Sequence, residues 1–143
     1  MNSHDLLPLA FCRIEAHRVS EQARIGTLPR HFGSCMMTVE HRIYQFMGEF
    51  VTDYKGAWWH FYELSNGGFY MAPDIGSVPF RVHSNDFSGE MSADAAGISV
   101  CLFAFCHLSF QFPRSEIFSL HFHRLREFAL AHAESSSIMA AID

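Results

Sequence analysis

Residues 58 to 74 read WWHFYELSNGGFYMAPD, a stretch that predicts a β-hairpin with aromatic side chains on both faces. Asn66 and Gly67 lie between two segments of large side chains, and this is the strongest short-range signal for a hairpin. Both residues can adopt the positive φ that a two-residue type I′ turn requires. Such a turn fixes the register, so Leu64 is predicted to lie opposite Phe69.

The predicted register assigns each hairpin side chain to one of two faces, because side chains alternate along a strand. The first face collects His60, Tyr62, Leu64, Phe69 and Met71. The second face collects Trp59, Phe61, Glu63, Tyr70 and Ala72. Since both faces carry aromatic rings, we expect that either a further layer of helix or a binding partner covers the second one.

Two helices are predicted before the hairpin. The first is short, with Ser20 as its N-cap, and ends at Leu28, because a residue before proline is pushed out of the α region. The second begins at Thr38 and ends at Lys55-Gly56. Its apolar side chains recur with a period of about 3.6 residues at Val39, Ile43, Phe46, Met47, Phe50, Val51 and Tyr54.

Three helices are predicted in the second half of the chain. Residues 95 to 106 form an apolar core that is shorter than the ~20 residues of a membrane span, so we predict a central helix packed against the sheet. Ser92 is its expected N-cap, and Asp94 in the first turn suits the helix dipole. Amphipathic patterns predict further helices over residues 116–131 and 134–142.

A third strand is predicted over residues 80–84, where apolar and polar side chains alternate. Because the strands are close in sequence, we expect an antiparallel meander. The predicted fold class is therefore α+β, with a small antiparallel meander of about three strands packed with four to five helices. The whole chain, residues 1–143, is predicted to be a single domain.

Four blocks of the sequence are distinctive. They are LPRHFG (28–33), the hairpin stretch (58–74), GEMSADAAGI (89–98) and HAESSSIMAAID (132–143). In this order they resemble the antirestriction proteins of the ArdB/KlcA family. The resemblance implies an α+β protein of plasmids and other mobile genetic elements that protects incoming DNA from type I restriction endonucleases and leaves modification largely alone.

The resemblance has two limits. It carries over no catalytic residue, because the family offers no mechanism that maps onto positions here. Residues 1–19 lie outside the four blocks, and a loosely attached N-terminal segment is one interpretation of them. The implied partner is the type I restriction endonuclease complex, contacted directly or indirectly.

The charge pattern separates two modes of antirestriction. A protein that imitates the DNA phosphate backbone needs a dense, ordered run of carboxylates. Here 15 acidic residues oppose 10 basic ones, for a net charge of −5, and the acidic residues are scattered singly. We therefore predict inhibition by protein contact and not by DNA mimicry. Specific DNA binding is not expected either, because the basic residues form no stripe and the pI is near 6.0.

The beginning of the chain does not predict a secretory signal. Asp5 precedes the apolar stretch 6–12, which is short and lacks a basic segment before it. We expect a cytoplasmic protein with no membrane contact. Reduced thiols are expected at all four cysteines, because no CxxC pair occurs among Cys12, Cys35, Cys101 and Cys106.

No metal, cofactor, small-molecule substrate or enzymatic activity is predicted. His121 and His123 form an HxH pair, but side chains two residues apart on a helix point about 200° apart and cannot chelate one ion. The chain contains no GxSxG, HExxH or phosphate-binding loop motif. An enzyme stays an alternative, with a site assembled from His60, Glu63, Asp74 and His83, although His60 and Glu63 fall on opposite faces of their strand.

The hairpin is the preferred binding region, because Trp, Tyr and Arg dominate the energetics of protein interfaces. The competing interpretation is that its rings fill the core. The candidate binding residues are Trp58, Trp59, His60, Phe61, Asn66, Tyr70, Asp74 and Arg81. A nucleic-acid-binding module, with bases stacked on Trp59, Phe61 and Tyr70, is the second alternative function.

Overall fold

The computed structural model describes residues 13–143. Its strands are β1 (Ala16–Arg18), β2 (Trp59–Leu64), β3 (Phe69–Pro73), β4 (Val78–Val82) and β5 (Phe87–Met91). Its α-helices are α1 (Arg24–Phe32), α2 (Met36–Phe50), α3 (Ala93–Gln111), α4 (Ile117–Leu130) and α5 (Ser135–Ile142). The predicted α+β class is confirmed. The expectations for residues 6–12 and for Cys12 lie outside the described residues.

The strands form two antiparallel sheets instead of the predicted single meander. β1, β2 and β3 make the first sheet, with β2 in the middle, and β4 pairs with β5 in the second. The predicted third strand exists, but a turn that ends at Asp86, with a φ of 62°, returns the chain alongside it as β5. The third strand of the first sheet is β1, which pairs with β2.

The hairpin is confirmed, but its register differs by one residue from the prediction. Phe69 lies opposite Glu63 instead of Leu64, and Met71 lies opposite Phe61. Because side chains alternate, this shift moves every residue of β3 to the other face relative to β2. One face therefore collects Trp59, Phe61, Glu63, Phe69 and Met71, and the other collects His60, Tyr62, Leu64, Tyr70 and Ala72.

The shift originates in the loop of the hairpin. The Leu64 N–H donates to the Gly68 carbonyl at 2.9 Å, so the loop contains three residues and is not a two-residue type I′ turn. Gly67 has a φ of 89°, whereas Asn66 does not adopt a positive φ. Asn66 instead uses its side chain, which accepts from the Gly68 N–H and donates to the Arg124 carbonyl on α4. This bond to a distant helix overrides the local turn preference.

The predicted helix α1 continues past the point where it was expected to end. It runs through Pro29 to Phe32, whereas the prediction ended it at Leu28. Proline lacks the N–H that would bond to the carbonyl of Ile25. Ile25 is 89% exposed, so this missing hydrogen bond falls on the solvent side of the helix.

The apolar stripes of α2, α4 and α5 are buried as predicted, although α2 ends at Phe50 and not at Lys55. The buried members are Val39, Ile43, Met47 and Phe50 on α2, Phe118, Leu125 and Ala129 on α4, and Ile138 on α5. These stripes face α3, which packs against all three helices.

The predicted central helix is α3. The Ser92 side chain accepts a hydrogen bond from the Ala95 N–H at 3.1 Å, which confirms it as the N-cap. By length and composition alone α3 could cross a membrane, but 61% of its apolar window is buried inside the protein. It contacts both sheets and α2, α4 and α5, as the core helix of a globular fold does.

α3 crosses the edge of β3 at Gly97. A methyl group at this position would lie 2.5 Å from the Met71 carbonyl oxygen and 2.6 Å from the Ala72 Cα. The same carbonyl, which points away from β2, accepts a hydrogen bond from the Cys101 thiol at 3.6 Å. The helix thereby covers a strand edge that another chain could otherwise join.

We expect Gly97→Ala to destabilise the protein by about 2–3 kcal/mol, because the added methyl group must push α3 away from backbone atoms. Gly48→Ala is the matched control, since Gly48 lies in α2 with no atom within 4 Å of the added methyl group. The control should be stabilised by about 0.5–1 kcal/mol through its higher helix propensity. Urea denaturation measures both values, and similar stabilities for the two variants would contradict the close approach.

Candidate functional site

Three of the predicted binding aromatics lie in the core. Trp59, Phe61 and Tyr70 are only 3%, 5% and 2% exposed. The Trp59 indole N–H donates to the Tyr54 hydroxyl at 2.7 Å, and its ring contacts Tyr44 edge-on. These rings fill the space between the first sheet and the helices, so they are not available to a partner. For Trp59, Phe61 and Tyr70, the interpretation that the hairpin rings fill the core is the correct one.

Three side chains at and just before the start of β2 remain accessible on the other face. Trp58, which is 54% exposed, is followed at two-residue steps by the half-buried His60 and Tyr62. Arg18 lies opposite Tyr62 on β1, and Asp74 follows β3 with its N–H bonded to the Trp58 carbonyl. We call these five residues, Arg18, Trp58, His60, Tyr62 and Asp74, the open sheet face. It contains three of the predicted binding residues, namely Trp58, His60 and Asp74.

The polar groups of the open sheet face are loosely paired. The His60 Nε2 lies 3.6 Å from the Asp74 Oδ1, which is longer than a hydrogen bond. Arg18 donates to the Tyr62 hydroxyl at 2.9 Å, and this bond raises the pKa of the guanidinium further. His60 and Glu63 point to opposite faces of β2, as predicted.

The ring of Tyr62 is covered. It stacks on Tyr70 with ring centroids 4.7 Å apart, and the Arg18 guanidinium lies over it at 5.5 Å. Tyr70 in turn stacks on Phe128 of α4. A nucleic-acid base needs a free aromatic face for stacking. Tyr62 presents its edge and hydroxyl instead.

Asn66 and Arg81 are not on the open sheet face. Asn66 holds the hairpin loop through the bonds described above. Arg81 is exposed on β4, opposite Ser88, and therefore belongs to the other sheet. A sequence segment of 24 residues from Trp58 to Arg81 thus contributes to two separate surfaces.

Beside the open sheet face, on the same side of the sheet, a polar network joins three of the four distinctive sequence blocks. The Tyr70 hydroxyl donates to the Asp94 Oδ1 at 2.7 Å, and the His132 Nε2 lies 2.8 Å from the Asp94 Oδ2. The Glu134 N–H donates to the His132 Nδ1 at 2.9 Å. The N–H and hydroxyl of Ser92 both donate to the Glu134 carboxylate. The network ties β3, α3 and the connection between α4 and α5 together.

The electrostatics of this network favour a charged Asp94 beside His132. Burial would raise the pKa of Asp94, but hydrogen bonds from His132 and Tyr70 outweigh it and lower the pKa. The Asp94 carboxylate raises the pKa of His132, against the effect of burial. Both ring nitrogens of His132 are already bonded, so neither is free to exchange a proton with a substrate. We therefore assign the network a structural role.

A second polar cluster lies on the opposite face of the first sheet. Glu63 Oε2 lies 2.7 Å from Arg30 Nη2 and 2.6 Å from His31 Nε2, so the LPRHFG block is bonded to the hairpin. The His31 ring contacts His121 edge-on, with centroids 5.2 Å apart. His121 is 1% exposed, and its Nδ1 has no hydrogen-bond partner in the described structure. His123 is exposed, so the HxH pair divides between core and solvent as the helix geometry predicted.

Residues 13–143 contain no group of three His, Cys, Asp or Glu side chains placed to hold a metal ion. The cysteines in this range are free: Cys101 is buried, and Cys35 and Cys106 are half-buried. Burial raises the pKa of the Cys101 thiol to about 12, which keeps it protonated.

Arg24 is a site residue that the sequence did not single out. Its guanidinium lies between the rings of Trp58 and Phe61, 4.3 Å and 4.2 Å from their centroids, and donates to the Trp59 carbonyl. The neighbouring Phe61 carbonyl accepts from the Val19 N–H just after β1. Arg24 therefore continues the hydrogen bonding along the edge of β2 where β1 has ended. No spacing rule connects positions 24 and 58, so only the fold reveals this contact.

We expect His121→Leu to reduce the loss of stability in acid. Burial lowers the pKa of His121 from 6.5 to about 4, with smaller contributions from His31 and Arg124. In the unfolded chain the His121 imidazole binds a proton near its ordinary pKa of 6.5, whereas in the folded protein it does so only near pH 4. The stability that this difference contributes is therefore fully present above pH 6.5 and is lost as the pH falls toward 4. The loss amounts to roughly 3 kcal/mol at most.

The measurement for this prediction is urea denaturation between about pH 7 and pH 4. His121→Leu should show a shallower pH dependence than the wild type, while the exposed control His123→Leu should keep the wild-type dependence. Identical curves for wild type and His121→Leu would contradict the assignment.

Comparison with known proteins agrees with the resemblance. A sequence model of antirestriction proteins matches residues 52–143. Two Escherichia coli proteins named antirestriction protein KlcA are 42% and 40% identical to this chain, each over 91% of it and over 94% and 95% of their own lengths. A solved structure has a TM-score of 0.84 and 42% identity, covering 91% of this chain and 95% of its own. That structure is described as one of the KlcA and ArdB proteins. These proteins show a novel fold and antirestriction activity against type I DNA restriction systems in vivo but not in vitro. The chain therefore belongs to the antirestriction protein family.

Proposed function

We propose that this protein counteracts type I restriction endonucleases in the cytoplasm and so protects incoming mobile DNA, and that it acts by protein contact and not by DNA mimicry. Family membership supports the role, since the KlcA and ArdB proteins act against type I systems. The mode of action is argued from the surface of this chain.

The observation that carries the contact mode is the state of Trp58. Its indole is 54% exposed, yet the Arg24 guanidinium lies 4.3 Å from its ring and limits its movement. Exposed aromatic side chains that are already ordered bind partners at low entropic cost. Trp58 therefore has the properties of an interface anchor, and the rest of the open sheet face supplies polar groups around it.

The carboxylates support the exclusion of DNA mimicry. Glu63 is engaged by Arg30 and His31, and Asp94 is engaged by Tyr70 and His132. These two carboxylates are paired within the protein and the acidic residues are scattered singly along the chain, whereas a phosphate mimic must present its charges to solvent in a regular array.

The KlcA and ArdB proteins are active in vivo but not in vitro, and this difference constrains the identity of the partner. An inhibitor that simply bound the isolated nuclease would act in both settings. We therefore infer that the contact requires a component or state of the restriction machinery that is present in the cell. This includes indirect contact through another cellular protein.

The two alternatives have less support. Stacking of bases is disfavoured because Trp59, Phe61 and Tyr70 are buried and the ring of Tyr62 is covered. Catalysis would rely on His60 near Asp74, since both nitrogens of His132 are bonded. The His60 pair is the observation that keeps an enzyme as the second candidate.

We expect Trp58→Ala to reduce protection of unmodified DNA by about tenfold or more, because loss of an anchor residue typically costs over 1 kcal/mol of binding free energy. The assay is transformation of a restricting strain with unmodified DNA that carries recognition sites. Phe110→Ala is the matched control, as Phe110 is 80% exposed on α3 outside the open sheet face. Full protection by a folded Trp58→Ala variant would overturn the role of this surface, and unchanged restriction with the wild type would overturn the function.

The double variant His60→Ala/His83→Ala separates contact from catalysis. Contact predicts that protection stays within about threefold of wild type, because His60 is a half-buried neighbour of the Trp58 anchor and His83 lies outside the open sheet face. An acid or base catalyst would lose about a hundredfold or more. The same transformation assay applies, with thermal unfolding as the check that the variant is folded.

A further inference from the structure

A groove lies between α1, the start of α2 and the edge of β2. Its floor is formed by apolar side chains, and two carboxylates and one guanidinium stand among them. The lining residues are Glu21, Arg24, Ile25, Leu28, Met36, Glu40 and Phe61. The groove reaches Trp58 through Arg24, whose guanidinium contacts both the Phe61 and Trp58 rings.

The apolar side chains that line this groove differ in their exposure. Ile25 is 89% exposed and Met36 is half-buried, and Met37, which follows Met36 on α2, is 74% exposed. Leu28 and Phe61 are buried beneath them. An apolar surface of this kind on a small protein indicates an interaction site more than a solvated face.

The charged side chains of the groove are two carboxylates and one guanidinium, and only the guanidinium has short polar contacts. Arg24 is engaged by the Trp59 carbonyl and by two rings. Glu21 is exposed and has no ion pair within residues 13–143. Glu40 has only a long hydrogen bond, 3.4 Å, from the Tyr44 hydroxyl of its own helix. A ligand that fills the groove therefore meets two carboxylates and one guanidinium, a net charge of −1, beside apolar side chains.

We propose that this groove binds an apolar peptide segment of a partner protein that carries lysine or arginine at the positions facing Glu21 and Glu40. Charge complementarity selects this occupant, because a basic segment pairs with Glu21 and Glu40 while its apolar side chains cover Ile25 and Met36. Nucleic acids and anionic lipids are disfavoured by the same carboxylates and by the net charge of −5. The proposal rests on the proposed function, since it specifies the partner chemistry for contact next to Trp58.

The binding test uses two synthetic helical peptides of leucine, alanine and lysine or glutamate, identical except that every lysine of the first is glutamate in the second. We expect the wild-type protein to bind the lysine peptide at least about fivefold more tightly, with the preference shrinking as salt rises. Glu21→Lys/Glu40→Lys should reverse the preference. The matched control Glu90→Lys/Glu127→Lys changes two exposed glutamates elsewhere to lysine and should keep the preference.

The cellular test places the same two double variants in the transformation assay. The groove variant should lose about tenfold or more of the protection, and the control should stay within about twofold of wild type. Thermal unfolding confirms that both are folded. Equal affinity of the wild type for the two peptides, or full protection by the folded groove variant, would overturn the groove proposal while leaving the antirestriction function standing. Absence of protection by the wild type would instead overturn the function.

Discussion

The close approach of α3 to β3 at Gly97 is the constraint on which the rest of the structure depends. It brings the helix so near the strand that only a hydrogen atom fits at this position. Asp94 lies about one turn earlier on α3 and therefore reaches Tyr70, and through His132 it fixes the connection into α5. The small residues of SADAAGI and the polar residues around them thus both allow the central helix to pack closely against the hairpin.

Local periodicity was sufficient to predict most of the helices, because burial of an apolar stripe against α3 is a repeating local requirement. It failed where a distant contact decides the conformation. The bond from Asn66 to the Arg124 carbonyl replaces a two-residue turn with a three-residue loop and shifts the register by one. The three residues of β1 are too few for a periodic signal, and their pairing with β2 is set by the tertiary fold.

The candidate site was only partly predictable for a similar reason. β2 carries large rings in both of its alternating rows, so composition cannot decide which row faces solvent. Helices α1 and α2 cover the row of Trp59 and Phe61, where the rings of Phe32 and His31 also contact Phe69. In the other row, Trp58, His60 and Tyr62 are left accessible. The sequence predicted that binding residues lie in the hairpin. It could not predict that Trp58 is exposed and Trp59 is buried, because this depends on the positions of the helices.

Arg24 links the stability of the sheet to the shape of the surface. Its guanidinium bonds to the edge of β2 beyond the end of β1, and the same group lies between the buried Phe61 and the exposed Trp58. Lysine could supply the charge but not a planar group that stacks on two rings while it donates a hydrogen bond. The orientation of Trp58 is therefore determined by the packing of the hairpin core. Since the groove between α1 and α2 meets Trp58 at this arginine, the two proposed contact regions form one surface held in place by a single side chain.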